Sequence, residues 1–116
     1  SQFHVVDGDK LICTAYQRSA DVGLGLPFNI ASYSFLTHIL AHHCGLKAAE
    51  LIHFVGNAHI YEDHVEALEK QLENFPERYP LIDIWKKRDT IDEYEIEDFK
   101  IVGYVSNKKI NMEMRA

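Results

Sequence analysis

No stretch of these 116 residues approaches the roughly 18 consecutive apolar residues that span a bilayer, and no positively charged start leads into an apolar core. A membrane helix and a signal peptide are therefore not expected. Basic runs are missing as well: Lys and Arg number 12 against 18 Asp and Glu, the net charge is −6, and acids spread through Glu62 to Glu73 and Asp89 to Asp98. That balance does not track a phosphate backbone and argues against DNA as a partner. Cysteine is scarce, and two thiols make no disulfide framework. Cys13, in a strand pattern, and Cys44, near the end of an apolar helix, are both expected as small buried hydrophobes. Internal repeats and low-complexity linkers are absent. What remains is enough for one core, in one domain or part of one, and the expected setting is soluble and cytoplasmic. The first residue is Ser1, and Ser1 to Val6 enters directly as a strand pattern. The expectation is a piece cut from a longer protein.

What is present reads as alternating strand and helix signals. Phe3 to Val6 and Leu11 to Tyr16 are β-rich runs joined by Asp7-Gly8-Asp9, and an Asp-Gly pair supplies the positive φ angles of a tight hairpin. Gly23 and Gly25 loosen the backbone before Pro27, which predicts a helix starting near Pro27. From Phe28 to Cys44 apolar residues fall on nearly every face, the pattern of a helix surrounded by protein, and Gly45 suits its left-handed cap. A strand is predicted from Leu51 to Val55, extended through Tyr61. A second helix follows over about Glu62 to Asn74, with Val65, Leu68 and Leu72 as its inward stripe. Leu81 to Trp85 and Ile101 to Tyr104 read as strands, with a short helical or turn segment over Ile91 to Asp98. Strands and helices mix without regular βαβ alternation, so the fold class is α+β with a mixed, twisted sheet and packed helices.

His38 and His42 stand four apart on a helix, followed by His43 and Cys44, a grouping that raises the question of a metal. A zinc-protease motif needs Glu directly after the first His, and here it is Ile39. No metal is expected.

Three segments carry a family resemblance. They are Gln17-Arg18-Ser19-Ala20-Asp21-Val22-Gly23-Leu24-Gly25-Leu26-Pro27-Phe28-Asn29-Ile30-Ala31-Ser32-Tyr33, then Gly56-Asn57-Ala58-His59-Ile60-Tyr61, and the tail Lys109-Ile110-Asn111-Met112-Glu113-Met114. Together they resemble the thymidylate synthase family. The resemblance implies that residues 1–116 are the C-terminal part of a single thymidylate synthase domain, active as a homodimer of face-to-face sheets. It also implies that the family's nucleophilic cysteine, in a Pro-Cys-His element, would lie about four residues before Ser1. The implied reaction is reductive methylation of dUMP to dTMP, with 5,10-methylenetetrahydrofolate as cosubstrate and dihydrofolate as product.

The resemblance distributes roles over the motif. Arg18, whose guanidinium is a rigid fork of donors, and Ser19 are implied to hold the 5′-phosphate; the alternative is a surface Arg paired with an acid. Asn29 is the base-reading residue, since a carboxamide accepts from N3–H and donates to O4 of uracil; as an alternative, Asn near a helix start is a good cap. Related dCMP hydroxymethylases carry Asp there, so Asn29 argues for uracil. Asp21 matches the carboxylate that meets the pterin and supports proton transfers, which makes Asp21 and Asn29 the catalytic candidates. His59 and Tyr61, two apart in a strand, project to one side and are implied to hold the sugar 3′-OH, against the alternative of ordinary strand side chains. Asn57 departs from the Asp often found there. The substrate set is completed by Gln17, Ala20 and Ile60, and the folate side by Asp21, Gly25, Phe28 and Arg115. Arg115 replaces the small penultimate residue usual in the family, in a tail expected to fold over the folate from Lys109 to Ala116, with its charged side chain outward. Beside the enzyme stands a second reading, a non-catalytic nucleotide-binding or dimerisation fragment, because neither Cys13 nor Cys44 sits at the nucleophile position.

Overall fold

The computed structural model describes residues 1–115. Strands β1 (Gln2–Val6) and β2 (Lys10–Asp21) form the expected antiparallel hairpin, with positive φ at Asp7 (51°) and Gly8 (80°). Lysines staple the turn: Lys10 Nζ lies 2.8 Å from Asp7 and Lys47 Nζ 2.7 Å from Asp9, and Lys47 holds the Asp9 carboxyl below its ordinary pKa. Helix α1 (Gly25–Cys44) then crosses over to β3 (Lys47–His59), which pairs with β2 in parallel, so the sheet is mixed and ordered β1-β2-β3. The fold class is α+β, as the sequence pattern indicates.

β2 runs five residues past its expected end, and its odd positions explain why. Leu11, Cys13 and Ala15 are buried, and Gln17, Ser19 and Asp21 continue the same face, since side chains repeat every two residues. One face is thus apolar at its start and polar at its C-terminal end. The register slips once, from Leu11 opposite Ala48 to Ile12 opposite Glu50, leaving Ala49 as an extra residue in β3. Beyond the slip Ser19 pairs with Asn57 and Asp21 with His59.

Helix α1 starts two residues before Pro27, which occupies its third position. Its missing N–H is harmless there, because the first four donors of a helix have no intrahelical partner. Gly45 caps the other end at φ 70°, with its N–H on His42 O. The expectation of a helix enclosed on all sides does not hold within this chain: only Thr37 and Ala41 are buried, and Phe28 is 74% exposed. One face packs on β2 and β3 and another on residues 81–84. Phe99 meets Phe35, Tyr94 meets His42 and His43, and Ile30 and Leu36 stay exposed with Phe28. Cys44 is also exposed, unlike Cys13, because it is the last residue of α1 and precedes the cap.

After β3 the chain makes a 3-10 turn (Glu62–His64) and then α2 (Val65–Leu72). The expected inward stripe is displaced by one position. Val65 and Leu72 are exposed, whereas His64 is fully buried and Ala67 and Leu68 are half-buried, so the line at i, i+3, i+4 from His64 faces the fold. Strands β4 (Leu81–Ile84) and β5 (Phe99–Val102) form a separate antiparallel pair, docked on α1 through Phe35 and Phe99 at 4.9 Å between ring centroids. Between them, 3-10 turns at Ile91–Glu93 and Ile96–Asp98 are fixed by buried Asp98. It accepts two bonds of 2.8 Å from the Arg88 guanidinium and one of 3.0 Å from the Glu95 N–H. The Arg88 bonds and that N–H hold the Asp98 carboxyl below the usual range.

Candidate functional site

Parallel strands β2 and β3 end side by side at Asp21 and His59, next to the first turn of α1. In sheets with parallel strands, the carboxyl ends are where ligands bind. Asp21 organises this corner. Its carboxylate accepts from the backbone N–H groups of Gly23 (3.0 Å), Leu24 (3.3 Å) and Gly25 (3.3 Å), which would otherwise be unpaired donors at the start of α1. The helix has no side-chain cap at its boundary residue Leu24, so Asp21 caps it from upstream. Its side chain keeps 20% exposure, leaving room for a further donor on a carboxylate with about four acceptor positions.

Asn29 is not the cap. It lies in the second turn of α1, and its Oδ1 accepts a 2.9 Å bond from Gln17 Nε2. Gln17 also donates from Nε2 to Ser19 O at 2.9 Å, while its Oε1 lies 3.0 Å from His53 Nε2. On the opposite strand His59 Nδ1 lies 3.0 Å from Asn57 Oδ1 and 3.4 Å from the Ser19 hydroxyl. The His59 and Tyr61 rings meet edge to face at 5.3 Å, and His59, paired with Asp21, stands on the side of the sheet that carries α1. Ala20 is buried and offers only backbone, whereas Ile60, just past the end of β3, is 52% exposed. Gly25 lies against Asp21 and Asn29, where an added Cβ would find ordinary contact distances. Phe28 stands largely free on the α1 surface.

Arg18 is set apart from this group. Alternation along β2 turns it to the face opposite Gln17 and Ser19, and it is exposed, with no hydrogen bond or ion pair among the described residues. Gly56, its neighbour across the ladder, has no room for a side chain: a Cβ would lie 2.9 Å from both Arg18 O and the Tyr16 hydroxyl.

The tail reaches the same corner from the other side. Arg115 donates two bonds to the Asp63 carboxylate, one of 2.9 Å from Nε, and this pairing holds the Asp63 carboxyl below its ordinary range. His64 Nε2 lies 2.6 Å from Glu113 O; a carbonyl only accepts, so Nε2 carries the proton. Its other nitrogen, Nδ1, is buried without a hydrogen-bond partner, 3.7 Å from Asp21 Oδ1. The tail is thus tied to His64 and Asp63 as far as Arg115, and Ala116 lies outside the described residues. His64 and His53 both escape the sequence reading. Their partners lie 49 and 36 residues away, and no local spacing signals such contacts.

Among the described residues no group of three His, Cys, Asp or Glu could hold a metal ion. His42 Nε2 lies 3.3 Å from Lys86 O and His43 Nδ1 3.3 Å from the Tyr94 hydroxyl, while burial pushes the His38 pKa down. A cavity of about 700 Å³ between the end of α2 and the tail is lined by Leu72, Phe75, Val105 and Ile110 among others, and by none of the residues above. No helix of the described residues is long and apolar enough to cross a membrane.

A carboxylate, three amides, a hydroxyl and a His-Tyr pair thus gather where two parallel strands end beside the first turns of α1. The thymidylate synthase family model matches residues 1–116, and the chain belongs to that family. It is 51% identical over 114 residues to bifunctional dihydrofolate reductase-thymidylate synthase 2 of Arabidopsis thaliana, an alignment that takes in 98% of this chain and 20% of that protein. With the bifunctional dihydrofolate reductase-thymidylate synthase of Paramecium tetraurelia the identity is 52% over 114 residues, 98% of this chain and 24% of the relative. With Homo sapiens thymidylate synthase it is 50% over 113 residues, 97% of this chain and 36% of the relative. The chain therefore spans from about a fifth to just over a third of the length of these relatives.

Proposed function

We propose that the protein carrying this chain is a thymidylate synthase, which converts dUMP to dTMP with 5,10-methylenetetrahydrofolate, yields dihydrofolate, and works as a homodimer in the cytoplasm without a metal. Family membership supports the reaction class. The observation that carries the substrate is the Asn29 carboxamide: its Oδ1 is held by Gln17, which leaves Nδ2 free to donate to O4 of a uracil and an Oδ1 lone pair to accept from N3–H.

In this reading the folate supplies a one-carbon unit and a hydride, and a thiolate adds to C6 of the base so that C5 becomes the nucleophile. That thiolate comes from outside these residues. Cys13 is buried eight residues before Asp21, about 26 Å along an extended strand, and Cys44 is at the far end of α1, about 28 Å from its start. Asn29 stabilises charge developing on O4, Ser19 holds the phosphate, His59 and Tyr61 the sugar, and Asp21 the pterin, so the reacting groups meet in one orientation. A phosphate role for Arg18 rests on the family resemblance alone, since its side chain leaves the opposite face of β2. Gln17, Ala20 and Ile60 frame the nucleotide, and Gly25, Phe28 and Arg115 the folate. Dimerisation is supported by the sheet face away from α1, where Tyr16 and Phe54 stand opposite each other in register, 70% and 57% exposed.

The test is Asn29→Asp in the complete protein, with kcat/KM read for dUMP and dCMP through dihydrofolate formation. A carboxylate cannot donate to O4 but accepts from a 4-amino group, so preference should move toward dCMP, with a loss for dUMP of about 2–3 kcal/mol. Unchanged relative rates would remove Asn29 from base reading. The fragment reading rests on the position of the two cysteines, and the same assay on residues 1–116 alone decides it: turnover abolished by Cys13→Ser or Cys44→Ser would place the nucleophile in this chain.

A further inference from the structure

We propose that His53 is a positioning residue for base selection: acting through Gln17, it fixes which end of the Asn29 carboxamide faces the pyrimidine. The proposal rests on the reading of Asn29 as the base-contacting group. An unsupported carboxamide cannot distinguish uracil from cytosine. With NH2 toward position 4 and oxygen toward N3, it matches the O4 acceptor and N3–H donor of uracil. Rotated by half a turn, it matches the 4-amino donor and bare N3 of cytosine equally well. Selectivity then requires something that forbids the rotation.

The chain His53–Gln17–Asn29 provides it, and its polarity follows from one group of fixed character. The Ser19 backbone carbonyl can only accept, so the Gln17 atom 2.9 Å from it is Nε2. The second hydrogen of Nε2 goes to Asn29 at 2.9 Å, which makes the Asn29 atom there an acceptor, Oδ1. The other end of Gln17 is therefore Oε1, and the ring nitrogen 3.0 Å away, His53 Nε2, must carry a proton. Rotating Asn29 sets its NH2 against the NH2 of Gln17. Rotating Gln17 to relieve that clash sets its oxygen against Ser19 O and its NH2 against the proton of His53. His53 closes the chain at its far end; without its N–H the Gln17 oxygen loses its donor, and the Ser19 carbonyl alone is left to oppose a turn of the glutamine. The His53 ring is half-buried, with Tyr33 at 6.0 Å between centroids, and it projects from β3 on the same face as Gln17.

The experiment uses the complete protein and reads the ratio of kcat/KM for dUMP to that for dCMP, with calorimetric Kd values for both nucleotides. His53→Phe keeps a flat ring beside Tyr33 and removes the donor, and should lower the ratio about tenfold, the scale of one lost neutral hydrogen bond. His53→Gln keeps an N–H at similar reach and should return the ratio to within about twofold of the parent. A packing defect weakens both nucleotides alike and leaves the ratio in place. Gln17→Met, which interrupts the chain and leaves the His53 ring and its Tyr33 neighbour in place, should lower the same ratio and serves where His53→Phe does not fold. An unchanged ratio in His53→Phe or Gln17→Met, or no recovery in His53→Gln, overturns the proposal. Asn29→Asp separates the two levels: if it shifts the ratio and His53→Phe does not, only the relay fails, and if neither shifts it, the reading of Asn29 fails with it.

Discussion

Gly23 has no room for a methyl group. An added Cβ would sit 2.6 Å from His64 Nδ1 and 3.3 Å from Met112 Sδ, and the imidazole cannot easily withdraw because its other nitrogen is bonded to Glu113 O. Gly23→Ala should destabilise the protein by about 1–3 kcal/mol, the usual cost of overpacking, read as a lowered midpoint in urea denaturation with an unchanged slope. A shift below about 0.5 kcal/mol would mean that His64 and the tail yield freely. The glycine was visible in the sequence only as a loosener of backbone; the space it leaves is set by a histidine 41 positions later. Residues whose chemistry is self-contained were easier to read. Asn29, Asp21, His59 and Tyr61 announce themselves by functional group and motif, and the fold gathers them at one corner. Cys44 was misplaced because an apolar stretch says nothing about which side of its final turn faces water.

Helix α1 shows at the level of the element what a sequence rule loses when the deciding acceptor lies outside the element. Pro27 pointed to a start near itself, but the helix begins at Gly25 because Asp21, four residues upstream, takes the N–H groups of Gly23 to Gly25. Asp21→Ala should therefore cost about 1–2 kcal/mol of stability apart from any effect on turnover, as measured by thermal unfolding without ligand. The tail is held by a different device, the ion pair of Arg115 and Asp63 beside the His64–Glu113 bond. Bonding to Arg115 lowers the Asp63 pKa from its ordinary 3.8 in the folded state, so the pair contributes fully above that value and is lost as pH falls through the lowered one. Asp63→Asn should accelerate trypsin cleavage after Lys108 and Lys109 by roughly two- to fivefold at neutral pH, given the modest worth of an exposed pair. With pepsin, the difference between the two proteins should shrink as pH falls through the lowered Asp63 pKa and the parent loses its ion pair. Equal trypsin rates would show that the pair does not hold the tail. Since the Arg115 side chain is engaged at Asp63, Arg115→Ala should change the folate KM by less than about twofold; a tenfold rise, equivalent to about 1.4 kcal/mol, would instead put the side chain on the folate.

At the scale of the molecule, the surface is too large for the mass. The accessible area is 8955 Å² for 13.4 kDa, where a self-contained globule would show about 6,500 Å², and the radius of gyration is 16.4 Å against about 13 Å. Much of the excess is apolar, on the Tyr16–Phe54 face of the sheet and on the outer faces of α1 and α2. Residues 1–116 produced alone should bind a hydrophobic dye and associate progressively as concentration rises through the micromolar range, whereas the complete protein, with that sheet face covered in its dimer, should stay dye-silent and grow no further. A dye-silent, monodisperse monomer on sedimentation would show that these faces need no cover. The α+β class and most elements could be read from local periodicity, but the division into a three-stranded and a two-stranded sheet could not, because long-range pairing leaves no trace in neighbouring residues. The extra residue at Ala49 is of that kind. A strand has a parity, and one surplus residue near its beginning settles odd and even for every position after it. His53, Asn57 and His59 face Gln17, Ser19 and Asp21 on the strength of that single count. A deletion of one residue between Glu50 and His53 would deliver all three side chains to the wrong side of the sheet while leaving composition, charge and strand propensity almost unchanged, so in this stretch the protein's tolerance is for substitution and not for changes of length.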